Sequence, residues 1–96
     1  MANDIKHKDL FDKLGNIKKV EDWTRACDGL RLRVCRGGRH PVTIRDPKLP
    51  DDTGRASLIT VLPYSLHKRM NQVIFKEIRK FGIDEEEIWK ALGWLK

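Results

Sequence analysis

His40 stands in an arginine-rich stretch. Between Asp28 and Asp46 there is no acidic residue, yet Arg31, Arg33, Arg36, Arg39 and Arg45 all fall there. Histidine titrates near neutrality, so His40 can take a proton from a ribose 2′-hydroxyl or return one. Arg36 and Arg39 beside it can hold the charge that builds on a phosphorane-like transition state. Guanidinium is a planar fork of donors that matches phosphate oxygens, which is why arginine suits this task better than lysine. The chemistry these residues can support is attack of a ribose oxygen on its own phosphodiester, and it needs no metal. The plain alternative is a solvent-exposed strand histidine with no task.

A second set of cations lies further on. Leu66, Met70, Val73, Ile74, Ile78 and Phe81 recur at helical spacing and predict a helix over 66–81 with one apolar stripe. Lys68, Arg69, Lys76 and Lys80 fall around the rest, with Arg79. Cations on a helix face can reach phosphates across an RNA groove, and duplex RNA is read mainly through shape, 2′-hydroxyls and phosphates. A solvated outer face is the competing explanation.

Composition narrows the partners. Twenty Lys and Arg stand against 14 Asp and Glu, a formal charge of +6, so polyanions are favoured through attraction and counterion release. The 96 residues hold one core, so a single domain over 1–96 is expected. The absence of a long apolar run and the polar start (MANDIKHKD) predict a cytoplasmic protein with no membrane partner. Cys27 and Cys35 read as free thiols. Together with His40 and His67 they match no close-paired zinc spacing, and neither a metal nor another cofactor is expected. Glu85, Glu86 and Glu87 read as the acidic first turn of a helix. Trp23, Trp89 and Trp94 read as core or interface residues.

These groups need elements to position them. Leu10, Phe11 and Leu14 predict a helix over 6–14 that stops at Gly15, and Val20, Trp23 and Cys27 a second over 19–28 that ends at Gly29. The two could equally be one kinked helix. From Leu30 the period changes to two. Leu30, Leu32 and Val34 alternate with Arg31, Arg33 and Cys35, which predicts a strand with its arginines on an open face. Gly37 and Gly38 supply a tight turn. A second strand over about 39–45 is expected at an edge near its start, because Pro41 has no N–H. Residues 46–55 read as a polar loop, and the apolar run 56–62 as the central strand. Gly82 sits where a helix-ending glycine belongs. Asp84 with Glu87 reads as a capping box for a last helix over 85–92, with Ile83 and Ile88 as its hydrophobic staple. The expected fold is α+β: helix or helices, a three-stranded antiparallel sheet, a helix and a short C-terminal helix.

At this point the pattern resembles a known family. Gly38-Arg39-His40, flanked by Arg36 and followed by Val42 and Ile44, resembles the Gly-Ser-His strand motif of HicA-like (YcfA-type) mRNA interferase toxins. Gln72 to Asp84 (QVIFKEIRKFGID) resembles the family's last long helix and its Gly-Leu-Ser exit, and EEEIWKAL resembles its acidic terminal helix. The resemblance covers roughly residues 20–92, with 1–19 as an N-terminal extension. It implies a fold like a double-stranded-RNA-binding domain. It also implies metal-free, ribosome-independent cleavage of mRNA, with a HicB-like antitoxin as partner. Only His40 carries over as catalytic. Arg39 replaces the family's serine or threonine, and Pro41 follows where many members have histidine or a polar residue.

Three readings stand side by side. The first is a type II toxin that cuts mRNA with His40, holding RNA through Arg31, Arg33, Arg36, Arg39, Arg45, Lys68, Arg69, Lys76 and Lys80. The second is an RNA- or DNA-binding module that does not cut. The third is an interaction domain whose basic face meets an acidic protein.

Overall fold

The computed structural model of the protein describes residues 5–36, 42–52 and 54–95. A short helix α1 (Lys8–Asp12) runs into a 3₁₀ turn (Lys13–Asn16) and is followed by α2 (Val20–Gly29). Strands β1 (Arg33–Cys35), β2 (Val42–Arg45) and β3 (Leu58–Leu62) come next, then α3 (Lys68–Phe81) and α4 (Glu85–Ala91). This is a small α+β domain, with helices flanking a three-stranded antiparallel sheet.

The early helical segments are therefore separate. Gly15 does not stop the first, which continues as the 3₁₀ turn through Asn16. The segment before Val20 also belongs to the core, since Leu14 and Ile17 are buried there. Asn71 of α3, with no exposed surface, donates to the Leu14 and Ile17 carbonyls at 2.7 and 3.0 Å and accepts from Trp23 Nε1 at 2.9 Å. The polar bonds of one α3 residue thus hold the first turns in place, because buried carbonyls need a donor.

The first strand is shorter than its alternation predicts. Leu30 and Arg31 close α2, and strand pairing begins only at Arg33. The Arg31 amide bonds the Asp28 carbonyl and the Leu32 amide bonds the Cys27 carbonyl at 2.9 Å, the paired bonds of a Schellman motif. Arg31 takes the left-handed position of that motif, at φ 63°. Glycine usually occupies such a position, and here the chain ends its helix two residues beyond Gly29.

The sheet order is β1-β2-β3, so two positional expectations are corrected. The strand beginning after Pro41 is central, and the apolar strand 58–62 is at the edge. Sequential strands with short connections lie side by side, and that rule outweighs both proline and hydrophobicity. The apolar look of β3 has another cause. A register shift at Ile44/Arg45 leaves Arg45 opposite Leu58 and Ile44 opposite Thr60. Ile59 is the extra residue of a bulge, which lets Ile59 and Thr60 both be buried in succession.

Val34, Ile44 and Thr60 share the sheet face turned toward the helices, where Thr60 donates to Glu77 of α3 at 2.9 Å. The buried stripe of α3 is Asn71, Ile74, Phe75 and Ile78. Val73 and Phe81, expected inside, are about two-fifths exposed. Phe75 instead reaches the centre, stacked on Trp89 at 4.5 Å and meeting Phe11 edge-on at 5.6 Å. Gly82, at φ 122°, closes α3 with a second Schellman motif through Arg79 and Ile78. Asp84 occupies the N-cap position of α4, but its side chain makes no capping bond. Among the acidic residues of the first turn, Glu85 turns inward and is 3% exposed.

Candidate nucleic-acid interface

His40, Arg39, Gly37 and Gly38 lie outside the described residues, as does Pro41. The strands around them are described. Cys35 ends β1 opposite Thr43, and Val42 begins β2 opposite Leu62, the last residue of β3. The β1–β2 connection thus joins the sheet at the end from which the chain turns through 63–67 into α3. Arg36, at the end of β1, and Lys68 and Arg69, in the first turn of α3, are exposed at that end.

His67 comes to the same end, a placement that sequence reasoning missed. It is the N-cap of α3, and its Nδ1 accepts the Met70 amide at 3.3 Å. A neutral imidazole that accepts at Nδ1 carries its proton at Nε2. His67 is exposed, so that donor is open to solvent.

Arg33 and Arg45 face one another across β1 and β2, on the sheet face away from the helices. Like charges in direct opposition cost stability unless something offsets them. Here residues 46–52 and 54–57 fold over both. Arg33 donates to the carbonyls of Leu49 and Asp52, and its Nε to Cys35 Sγ at 3.3 Å. Arg45 donates to the Gly54 carbonyl and to Ser57 Oγ at 2.9 Å. Ser57, almost fully buried, donates its hydroxyl hydrogen bond to Asp52. The Gly54 amide and the Ser57 hydroxyl, helped by the Arg45 charge, hold the Asp52 carboxyl below the usual range. The face expected to be open is therefore a clasped loop, with its two arginines engaged by protein carbonyls.

The cations of α3 are arranged differently. Arg69, Lys76 and Lys80 form a stripe opposite the buried face, spanning about 16 Å at the usual rise per residue. Lys76 Nζ sits over the Phe11 ring at 5.6 Å, which orients it without removing its charge. Lys68 lies against Gly15, where an added Cβ would come within 3.2 Å of its own Cβ. The stripe points away from the sheet and the clasped loop lies beyond the sheet, so the two predicted cation sets face opposite ways. Arg31 is exposed at the α2–β1 corner.

Neither a nucleophile nor a metal cage stands out beside them among the described residues. Burial, with a contribution from Asp28, pushes the Cys27 thiol up to about 12, so it stays protonated at neutral pH. Cys35 is also a free thiol. Among the described residues, no three His, Cys, Asp or Glu side chains converge to hold a metal ion. Among those residues, too, no helix is long and apolar enough to cross a membrane.

Glu85 stands in the first turn of α4, as its pattern predicts, but with partners that the pattern does not show. Its carboxylate accepts the amides of Lys6 at 2.8 Å and His7 at 2.7 Å, and Trp89 Nε1 at 2.9 Å. Burial pushes its carboxyl up, but these donors and the Arg79 charge outweigh that, and the group is held below the usual carboxylate range.

The fold and this surface define a small basic α+β domain, and no family model, curated protein or solved structure matches the chain.

Proposed function

We propose that this chain is an RNA-binding domain of the double-stranded-RNA-binding type that acts as a HicA-like endoribonuclease toxin. The observation that carries the reading is the order of elements together with one surface. Helices precede an antiparallel β1-β2-β3 meander, and the long helix after it carries Arg69, Lys76 and Lys80 outward. Duplex RNA is held through phosphates and shape, and a row of cations on a rigid helix suits that.

The proposed reaction uses His40 as general base. It takes the proton of a ribose 2′-hydroxyl, and the oxygen attacks the adjacent phosphorus. The bond to the 5′-oxygen breaks, and that oxygen takes up a proton. The products are a 2′,3′-cyclic phosphate and a 5′-hydroxyl, with no co-reactant. Arg36 and Arg39 stabilise the charge on the phosphoryl oxygens. The Nε2–H of His67 is available to hydrogen-bond the leaving oxygen, which takes its proton from water. The substrate is mRNA in the cytoplasm, no cofactor takes part, and a HicB-like antitoxin covers the basic surface.

One observation favours a second reading, RNA binding without cleavage. The outward stripe of Arg69, Lys76 and Lys80 serves binding by itself and asks nothing of His40.

The test is incubation of labelled RNA with wild type, His40→Ala and His67→Ala in excess EDTA, reading product ends and gel shift together. Wild-type cleavage to cyclic-phosphate ends, abolished by His40→Ala with binding retained, is expected. A folded wild type that shifts RNA but leaves it intact would move the conclusion to the second reading.

A further inference from the structure

We propose that the groove between the 3₁₀ turn, α2 and the end of α4 is a binding pocket for a single nucleotide. It is a half-open groove of about 500 Å³, lined by Ile17, Leu92 and Trp94, with Lys13, Asp22 and Arg25 among its polar groups. That volume is within the ~300–1,000 Å³ of small-molecule sites, and the mixture of an apolar floor with a few polar groups is typical of them.

Trp94 supplies a platform that is already in place. Gly93, at φ 83°, ends α4 with a Schellman motif: its amide bonds the Lys90 carbonyl at 3.0 Å and the Trp94 amide bonds the Trp89 carbonyl at 2.8 Å. The turn brings the Trp94 ring onto Trp89, 5.7 Å away and within 5° of parallel, and Trp89 in turn stacks on Phe75. One indole face is thus backed by a row of rings anchored in the core. The ring also lines the groove, where it can stack a planar base without first being ordered.

The charged groups fit the rest of a nucleotide. Among the described residues, Lys13, Asp22 and Arg25 make no side-chain hydrogen bond or ion pair, although Asp22 and Arg25 are three apart on α2. Two cations and one carboxylate around an aromatic platform ask for a ligand with an anionic group and N–H donors on a planar ring. A nucleotide has both: its phosphate meets Lys13 and Arg25, and an amino-bearing base offers N–H groups to Asp22. A bare polyanion would meet the Asp22 charge with nothing to offset it.

The same chemistry has two sources. One is a free nucleoside 5′-monophosphate. The other is an unpaired nucleotide of a bound RNA, and only that source rests on the RNA-binding reading above.

The experiment follows the three tryptophan indole N–H signals by NMR during titration with GMP, with inorganic phosphate, and with a short RNA carrying an unpaired guanine. A saturable shift of the Trp94 signal with GMP or the RNA, absent with phosphate, is expected. Arg25→Gln and Lys13→Gln, both surface changes, should each weaken it about tenfold. No saturable Trp94 shift with either nucleotide probe overturns the proposal, as do equal effects of phosphate and GMP, or variants that bind like wild type. A GMP shift in a protein that ignores RNA leaves the pocket standing and removes the RNA reading. RNA binding with no Trp94 shift from either probe does the reverse.

Discussion

The Glu85 carboxylate accepts the backbone N–H of His7 at 2.7 Å, across 78 positions of sequence. With the Lys6 amide and the Trp89 indole it gathers three donors onto one buried anion. Glu85→Ala leaves those donors unpaired and should destabilise the fold by about 3 kcal/mol, read by urea denaturation. The pH dependence has a definite sign. A carboxyl held below its ordinary 4.5 favours the folded state fully above that value, and this contribution is lost as pH falls through the folded-state value. Wild type should therefore lose more stability than Glu85→Gln between neutral pH and the acid side of 4.5. Parallel curves would show that Glu85 is not the titrating group.

Asn71 is the polar centre of the other end of the core. Asn71→Leu keeps the volume similar but strands the Leu14 and Ile17 carbonyls and the Trp23 indole N–H. A loss of roughly 3 kcal/mol or more is expected. Asn71→Asp retains the acceptor for Trp23 and sets an anion against two carbonyls, so it should be no better. Thermal unfolding of the two variants checks this, and a stability within 1 kcal/mol of wild type for either would refute it.

Arg31 tests whether a residue serves conformation or ligand. Its left-handed backbone costs a non-glycine residue energy, so Arg31→Gly should raise stability by about 1 kcal/mol. If Arg31 also meets a phosphate, the same variant binds RNA more weakly while melting higher. Those opposite movements are measurable on one sample.

The two cation sets can be separated by salt. Each lysine or arginine that meets a phosphate adds about 0.9 to the slope of log affinity against log salt on duplexes, or somewhat less on single strands. Arg69→Gln and Lys80→Gln should each lower the slope by about 1 for duplex RNA and leave melting unchanged. Arg33→Gln should leave the slope alone. Its effect should appear as faster hydrogen exchange of the Asp46 and Gly54 amides, because the loop loses its clasp.

How much of this was legible depended on how local the physics was. Gly82 could be placed as a helix end because an L side chain rarely takes its φ. The α3 helix could be read from its period, but the core-facing stripe was misjudged by a fraction of a turn, since Val73 and Phe75 fit an apolar face equally well. Only the docking of Phe75 between Phe11 and Trp89 decides between them. Arg33 and Arg45 looked free because a strand pattern does not reveal a loop folding back over its open face. Glu85 looked like one more acid in a first turn. What distinguishes it from Glu86 and Glu87 is a pair of amides near the other end of the chain, which no window of neighbours contains. Trp94 had a local signal in the glycine before it, the same left-handed helix end as at Gly82, and this was overlooked.

The Glu85 junction has a consequence for biosynthesis. Lys6 and His7 leave the ribosome well before the carboxylate that secures them. At about 5–20 residues per second, some 4–16 seconds separate the two. Leu14 and Ile17 likewise wait for Asn71. The nascent chain therefore cannot settle piece by piece from its beginning. Its first helices stay unlatched until Asn71 and then Glu85 have been made.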